Sequence, residues 1–193
     1  MATTATKTDI WRQKRATFLF DGTAIPAPDK IVYGNGGHVT NLVKTGNVTS
    51  GSATITNMNS TEDLRAFQSI TGNGIPANTH IVTVLSDSSI EISQNATATS
   101  ISENLTFNGL RPENSSRSTL VSQIYSKTIS SKVQEDTFST TLIGILDETE
   151  LNGSTISEIG VIDTEGQLIA FYNLGPNNKG PGEEYEARIK IME

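Results

Sequence analysis

The stretch Ile156-Ser157-Glu158-Ile159-Gly160-Val161-Ile162-Asp163-Thr164-Glu165-Gly166-Gln167-Leu168-Ile169-Ala170 carries the clearest β signal of the chain. Its spacing predicts strands over Ile156–Ile162 and Gln167–Tyr172. Asp163-Thr164-Glu165-Gly166 joins them as a tight hairpin, with Gly166 where a positive φ is required and a Cβ is costly. The apolar run Ile159-Gly160-Val161-Ile162 predicts burial on both faces, within the domain or against a neighbouring subunit.

Downstream, Tyr185, Ala187, Ile189 and Ile191 alternate with Glu186, Arg188 and Lys190. Side chains on a strand point alternately to its two faces, so this last strand has one dry and one charged face. Upstream, Ser118–Ser130 and Thr137–Leu146 are strand-like, and Arg111-Pro112-Glu113-Asn114-Ser115-Ser116 is a linker. Asp9–Phe20 predicts the one substantial helix, capped by Thr8 or Asp9. Ile10, Trp11 and Phe18 lie on its apolar side, with Trp11 expected in the core. Asp21-Gly22 ends the helix, and Pro26 and Pro28 prevent its resumption. Lys30–Tyr33 is a short strand. Gly34-Asn35-Gly36-Gly37 follows as a turn that tolerates positive φ.

Between Thr45 and Gly109 the composition shifts: 29 of 65 residues are Ser, Thr or Asn, and Arg65 is the only Lys or Arg. Short β-like runs (53–56, 80–85, 89–93 and 105–107) alternate with turn signals such as Asn73-Gly74-Ile75-Pro76. Ser60 and Asp63 stand at capping-box spacing, which predicts one helical turn. The expected organisation is a discontinuous docking domain, 1–44 with 110–193, and an inserted small β domain, 45–109. The expected fold class is mainly β with one N-terminal helix, an α+β docking domain carrying an all-β insert.

Composition narrows the chemistry. The 193 residues include no cysteine, which removes disulfides, thiol nucleophiles and thiolate metal sites. The net charge of −7 argues against general nucleic-acid or anionic-membrane binding. No apolar run is long enough to span a bilayer, and no apolar export segment follows the polar start. Residues 1–134 carry 11 bases against 9 acids, and residues 135–193 carry 3 against 12. A solvated acidic face and a partner-facing surface both fit that asymmetry.

No constellation for catalysis, cofactor or metal stands out. Gly34–Gly37 lacks the Gly-Lys-Ser/Thr that a phosphate loop needs. His38 has no nucleophile or acid beside it in a recognisable motif. Asp147, Glu148 and Glu150 before Asn152-Gly153 do not match calcium-loop spacing. Aromatic residues, 6% of the chain, are too sparse for an evident sugar-stacking surface.

Three stretches nevertheless form a pattern. Lys30-Ile31-Val32-Tyr33-Gly34-Asn35-Gly36-Gly37-His38 resembles the glycine turn near the start of the tail-collar fibre family of tailed bacteriophages. Ser118-Thr119-Leu120-Val121-Ser122-Gln123-Ile124-Tyr125 is similar to that family's next strand. Ile156–Ala170, with Glu158, Ile159, Gly160, Asp163 and Gly166, looks like its Glu-Ile-Gly-Leu-Phe-Asp hairpin. The order is the family's, and the likeness covers roughly 1–44 and 110–193, interrupted by the insert. The insert itself resembles small Ser/Thr-rich β inserts of phage structural proteins. Insertion at an exposed turn costs little, because loop closure depends weakly on length.

The resemblance implies a non-enzymatic structural protein of the virion tail, assembled in the host cytoplasm. Family members usually continue into a long shaft, whereas this sequence stops at Glu193, which implies an anchor, adaptor or baseplate component. Its implied partners are other tail or baseplate proteins and a fibre protein. A homo-oligomer, trimer or ring contact, is expected, without cofactor, nucleic acid or membrane insertion. The alternative expectation is a host-surface adhesin that binds glycan through the insert.

Overall fold

The computed structural model describes residues 2–192, which are mainly β with a single helix. In chain order the elements begin β1 Thr3–Thr4, β2 Thr6–Lys7, α1 Asp9–Asp21, β3 Pro28–Gly34, β4 His38–Val48, β5 Thr54–Ile55, β6 Ser69–Thr71 and β7 Ile81–Ser86. They continue with β8 Ser89–Ile92, β9 Ser100–Leu110, β10 Gln123–Thr128, β11 Ser131–Asp136, β12 Ser139–Leu146, β13 Thr155–Asp163, β14 Leu168–Asn178 and β15 Tyr185–Met192. The chain divides into two compact units, residues 1–37 with 113–193, and residues 38–112.

The first unit packs a four-stranded sheet, ordered β1-β15-β12-β11, against a five-stranded one, ordered β10-β3-β13-β14-β2. Ile31, Tyr33, Ile159, Val161 and Ile169 of the larger sheet meet Leu142, Leu146, Ala187 and Ile189 of the smaller. The hairpin β13–β14 lies inside the larger sheet, with β3 on its other side. Both faces of this sheet are covered, because Val32, Leu168 and Phe171 pack with Leu120 on the side away from the main core. That two-sided burial explains the continuous apolar run of β13.

Helix α1 begins at Thr8, whose hydroxyl accepts from the Trp11 amide at 3.3 Å and donates to the Leu168 carbonyl at 2.7 Å. It ends at Gly22 in the left-handed region (φ 77°), whose amide donates to the Phe18 carbonyl. Trp11 is buried in the core, but Phe18, expected on the packed side, is exposed with Leu19 and Phe20.

One strand expectation changes, and one strand was not expected. The strand expected over Ser118–Ser130 is regular only over Gln123–Thr128, because the Val121 and Ser122 amides donate to a carboxylate instead of a ladder. Strand β11 gave no apolar alternation to read, since all six of its residues are exposed.

The second unit holds two three-stranded sheets, ordered β4-β9-β6 and β5-β8-β7. They enclose Val48, Ile55, Ile70, Ile81, Ile90, Ile92, Leu105 and Phe107. Its boundaries fall at 38 and 112 rather than 45 and 109, because His38–Lys44 pairs with Leu105–Leu110 in the longest ladder of the unit. The helical turn expected at Ser60–Asp63 is a non-helical turn, in which Asp63 takes a left-handed φ of 71°.

Candidate functional site

The three stretches that carry the family resemblance meet at Glu158, a fully buried glutamate in β13. Its Oε1 accepts from the Gly36 amide at 3.0 Å and the Ser122 amide at 2.7 Å. Its Oε2 accepts from the Val121 amide at 3.0 Å, and the Arg117 guanidinium stands 4.0 Å away. Arg117 also lies over the Phe171 ring, 5.4 Å from its centroid. Backbone amides and a guanidinium together compensate a carboxylate that burial alone would disfavour.

The glycines at this site provide clearance rather than left-handed backbone, since none of Gly34, Gly36 and Gly37 has a positive φ. A Cβ on Gly34 would sit 2.5 Å from Glu158 Oε1 and 2.6 Å from the Ser122 carbonyl oxygen. One on Gly36 would sit 2.5 Å from Val121 Cβ, and one on Gly37 would overlap the Ser157 carbonyl oxygen. The Gly37 amide donates to Ser157 Oγ at 3.0 Å. Asn35 keeps its side chain exposed and donates its amide to the Ser122 carbonyl at 3.0 Å. The turn read as tolerating positive φ is therefore one wall of a carboxylate-binding nest.

The other motif residues lie apart from this nest. Ile159 is core, opposite Tyr33 and Tyr172 in the sheet. A Cβ on Gly160 would meet Leu168 Cδ1 at 2.7 Å. Asp163 is buried at the hairpin turn: its Oδ1 accepts from the Glu165 and Gln167 amides, and its Oδ2 from Lys14 Nζ at 2.6 Å. Gly166 has φ 79° with open space around it. Tyr125 donates its hydroxyl to Glu150 Oε1 at 2.6 Å, and Lys127 pairs with the same carboxylate. Those bonds, Lys127 first, hold the Glu150 carboxyl below its ordinary range, while the bond to Glu150 raises the Tyr125 hydroxyl.

These pairs bear on the charge asymmetry. Glu158, Asp163 and Glu150 of the acidic segment face Arg117, Lys14 and Lys127 of the more basic one. Part of the imbalance is thus answered inside this unit. Glu150 and Asp147, weighed above as parts of a cation loop, are engaged with Tyr125, Lys127 and the Thr149 amide. Arg117 and Lys14 could not be read as partners, because nothing local links them to acids 41 and 149 residues away.

This unit exposes several large apolar side chains. Leu19 and Phe20 at the end of α1 are 80% and 91% exposed, and Phe138, between β11 and β12, is 67% exposed. A hollow of about 540 Å³ lies here, lined by Trp11, Phe18, Leu19, Pro26, Pro28 and Phe138 among others.

Comparison with known proteins gives no relative: no family model, no curated protein and no solved structure matches the chain.

Proposed function

We propose that this chain is a structural protein of the tail of a phage or phage-like particle, connecting fibre or receptor-binding parts to the baseplate. The observation that carries the reading is the exposed apolar side chains Phe18, Leu19 and Phe138 around one hollow, with Phe20 exposed at the end of the same helix. Contiguous exposed apolar surface marks interaction sites, and interface centres are rich in aromatic anchors. The convergence of the family-like stretches on Glu158 supports the same reading, because it brings residues of all three to one structural task.

In this reading the unit of residues 1–37 and 113–193 is the docking body. Its partners are other tail or baseplate proteins, a fibre protein and further copies of the chain, as a trimer or ring. Its place is the virion tail, assembled in the host cytoplasm. The role asks for shape and apolar contact rather than turnover, so no catalytic group or cofactor is assigned.

The test is assembly. Purified chain is mixed with the neighbouring tail proteins of its particle and followed by sedimentation and cross-linking. The reading expects complexes that Leu19→Glu and Phe20→Glu abolish while circular dichroism stays unchanged. Complexes that form equally with these variants, or no complex at all, would contradict it.

A further inference from the structure

We propose that Phe67 and His80, on the unit of residues 38–112, form a binding platform for a carbohydrate that carries an anionic group. Phe67 is 84% exposed, so one of the few aromatic rings of the protein faces water. It is also held in the left-handed region, at φ 69°. A bulky side chain adopts that conformation only where its surroundings enforce it.

The enforcing contacts are specific. The Phe67 amide donates to the Ile81 carbonyl at 2.8 Å. The next residue, Gln68, is buried: its Nε2 donates to the Asp63 and Leu110 carbonyls, and its Oε1 accepts from the Arg65 amide. The turn is thereby locked, with the ring directed away from the core. The Phe67 ring runs nearly parallel to His80, with centroids 6.2 Å apart and planes at 18°. Beside it lies a hollow of about 180 Å³, lined by Arg65, Ala66, Phe67 and Leu110.

The chemistry selects the occupant. An open aromatic face suits the apolar C–H face of a sugar ring, and a guanidinium beside it suits a carboxylate or phosphate. Arg65 stands at this hollow, while the unit's other Lys and Arg are Lys44 and Arg111, the latter paired with Asp63. A nucleic acid would require a broader array of cations. A stable protein contact would require a far larger surface than one ring pair and a small hollow. The inference goes beyond the connector role and does not depend on it.

The full-length chain is screened against an array of neutral, carboxylated and phosphorylated oligosaccharides. Methyl glucuronide and methyl glucoside are then titrated while the amide resonances of residues 65–68 and 80 are followed by NMR. We expect binding confined to acidic sugars, with shifts at those amides. Phe67→Gly should weaken it about tenfold, the loss of one stacking partner. The same variant should keep or raise the unfolding midpoint, because glycine accepts φ 69° without strain. Arg65→Gln should remove the preference for the glucuronide. The proposal is overturned if no sugar binds, if the perturbed amides lie elsewhere, or if Phe67→Gly binds as the parent does. It is also overturned if a tail protein covers Phe67 and His80 while no sugar shifts their resonances.

Discussion

The carboxylate of Glu158 accepts the backbone amide of Gly36 at 3.0 Å, across 122 residues of chain. The same oxygen accepts Ser122, so one side chain joins the end of β3, the approach to β10 and the hairpin strand β13. Glu158→Ala leaves buried donors without an acceptor and should cost about 3 kcal/mol. Glu158→Gln keeps one carbonyl oxygen and should cost less. Urea unfolding checks this, with a lowered midpoint at unchanged slope.

Gly37 and Gly166 should respond differently to alanine. At Gly37 a Cβ overlaps the Ser157 backbone, which cannot yield without breaking the sheet. At Gly166 the space is open and only the left-handed φ is penalised, by about 1–2 kcal/mol. Parallel unfolding curves should place Gly37→Ala well below Gly166→Ala. Equal midpoints would contradict the clearance account.

The Tyr125–Glu150–Lys127 group should shape stability at both ends of the pH range. Glu150 is lowered in the folded protein, so its contribution is present above the ordinary glutamate value of 4.5 and is lost as pH falls through the folded value. Tyr125 and Lys127 are raised, so theirs is present below their ordinary values of 10.0 and 10.5 and is lost as pH rises through the folded values. Glu150→Gln should flatten part of the acid limb of a thermal midpoint–pH curve. An unchanged limb would show that the group contributes nothing there.

Excision should separate the two units. His38 pairs with Leu110, so the chain enters and leaves the second unit on adjacent strands. Replacing residues 38–112 by a short Gly/Ser linker should leave the first unit folded, and residues 38–112 alone should give a dispersed NMR spectrum. Loss of structure in either piece would show that the units depend on each other.

The parts of this fold legible in the sequence were those whose burial follows a simple period. Tyr185 to Ile191 shows one dry face, and Ile159 to Ile162 shows two. Strand β4 and the part of β9 before Leu105 were hidden because they are polar and their pairing shifts register between Val39 and Leu42 and between Gly46 and Val48. Glu158 stood out in the motif, but its task did not, because its partners are main-chain amides that any residue could supply. Gly36 and Gly37 were read for backbone freedom, whereas their contribution is the room they leave for Val121 and Ser157. Phe18 was read as packed because helical spacing marks an apolar face without saying what covers it.

Electron cryomicroscopy of the assembled particle tests the connector role most directly. Density for residues 1–37 and 113–193 is expected at the junction of baseplate and fibre, with Leu19, Phe20 and Phe138 buried against a neighbouring chain. A mature particle without this chain, or one in which those three side chains face solvent, would contradict it.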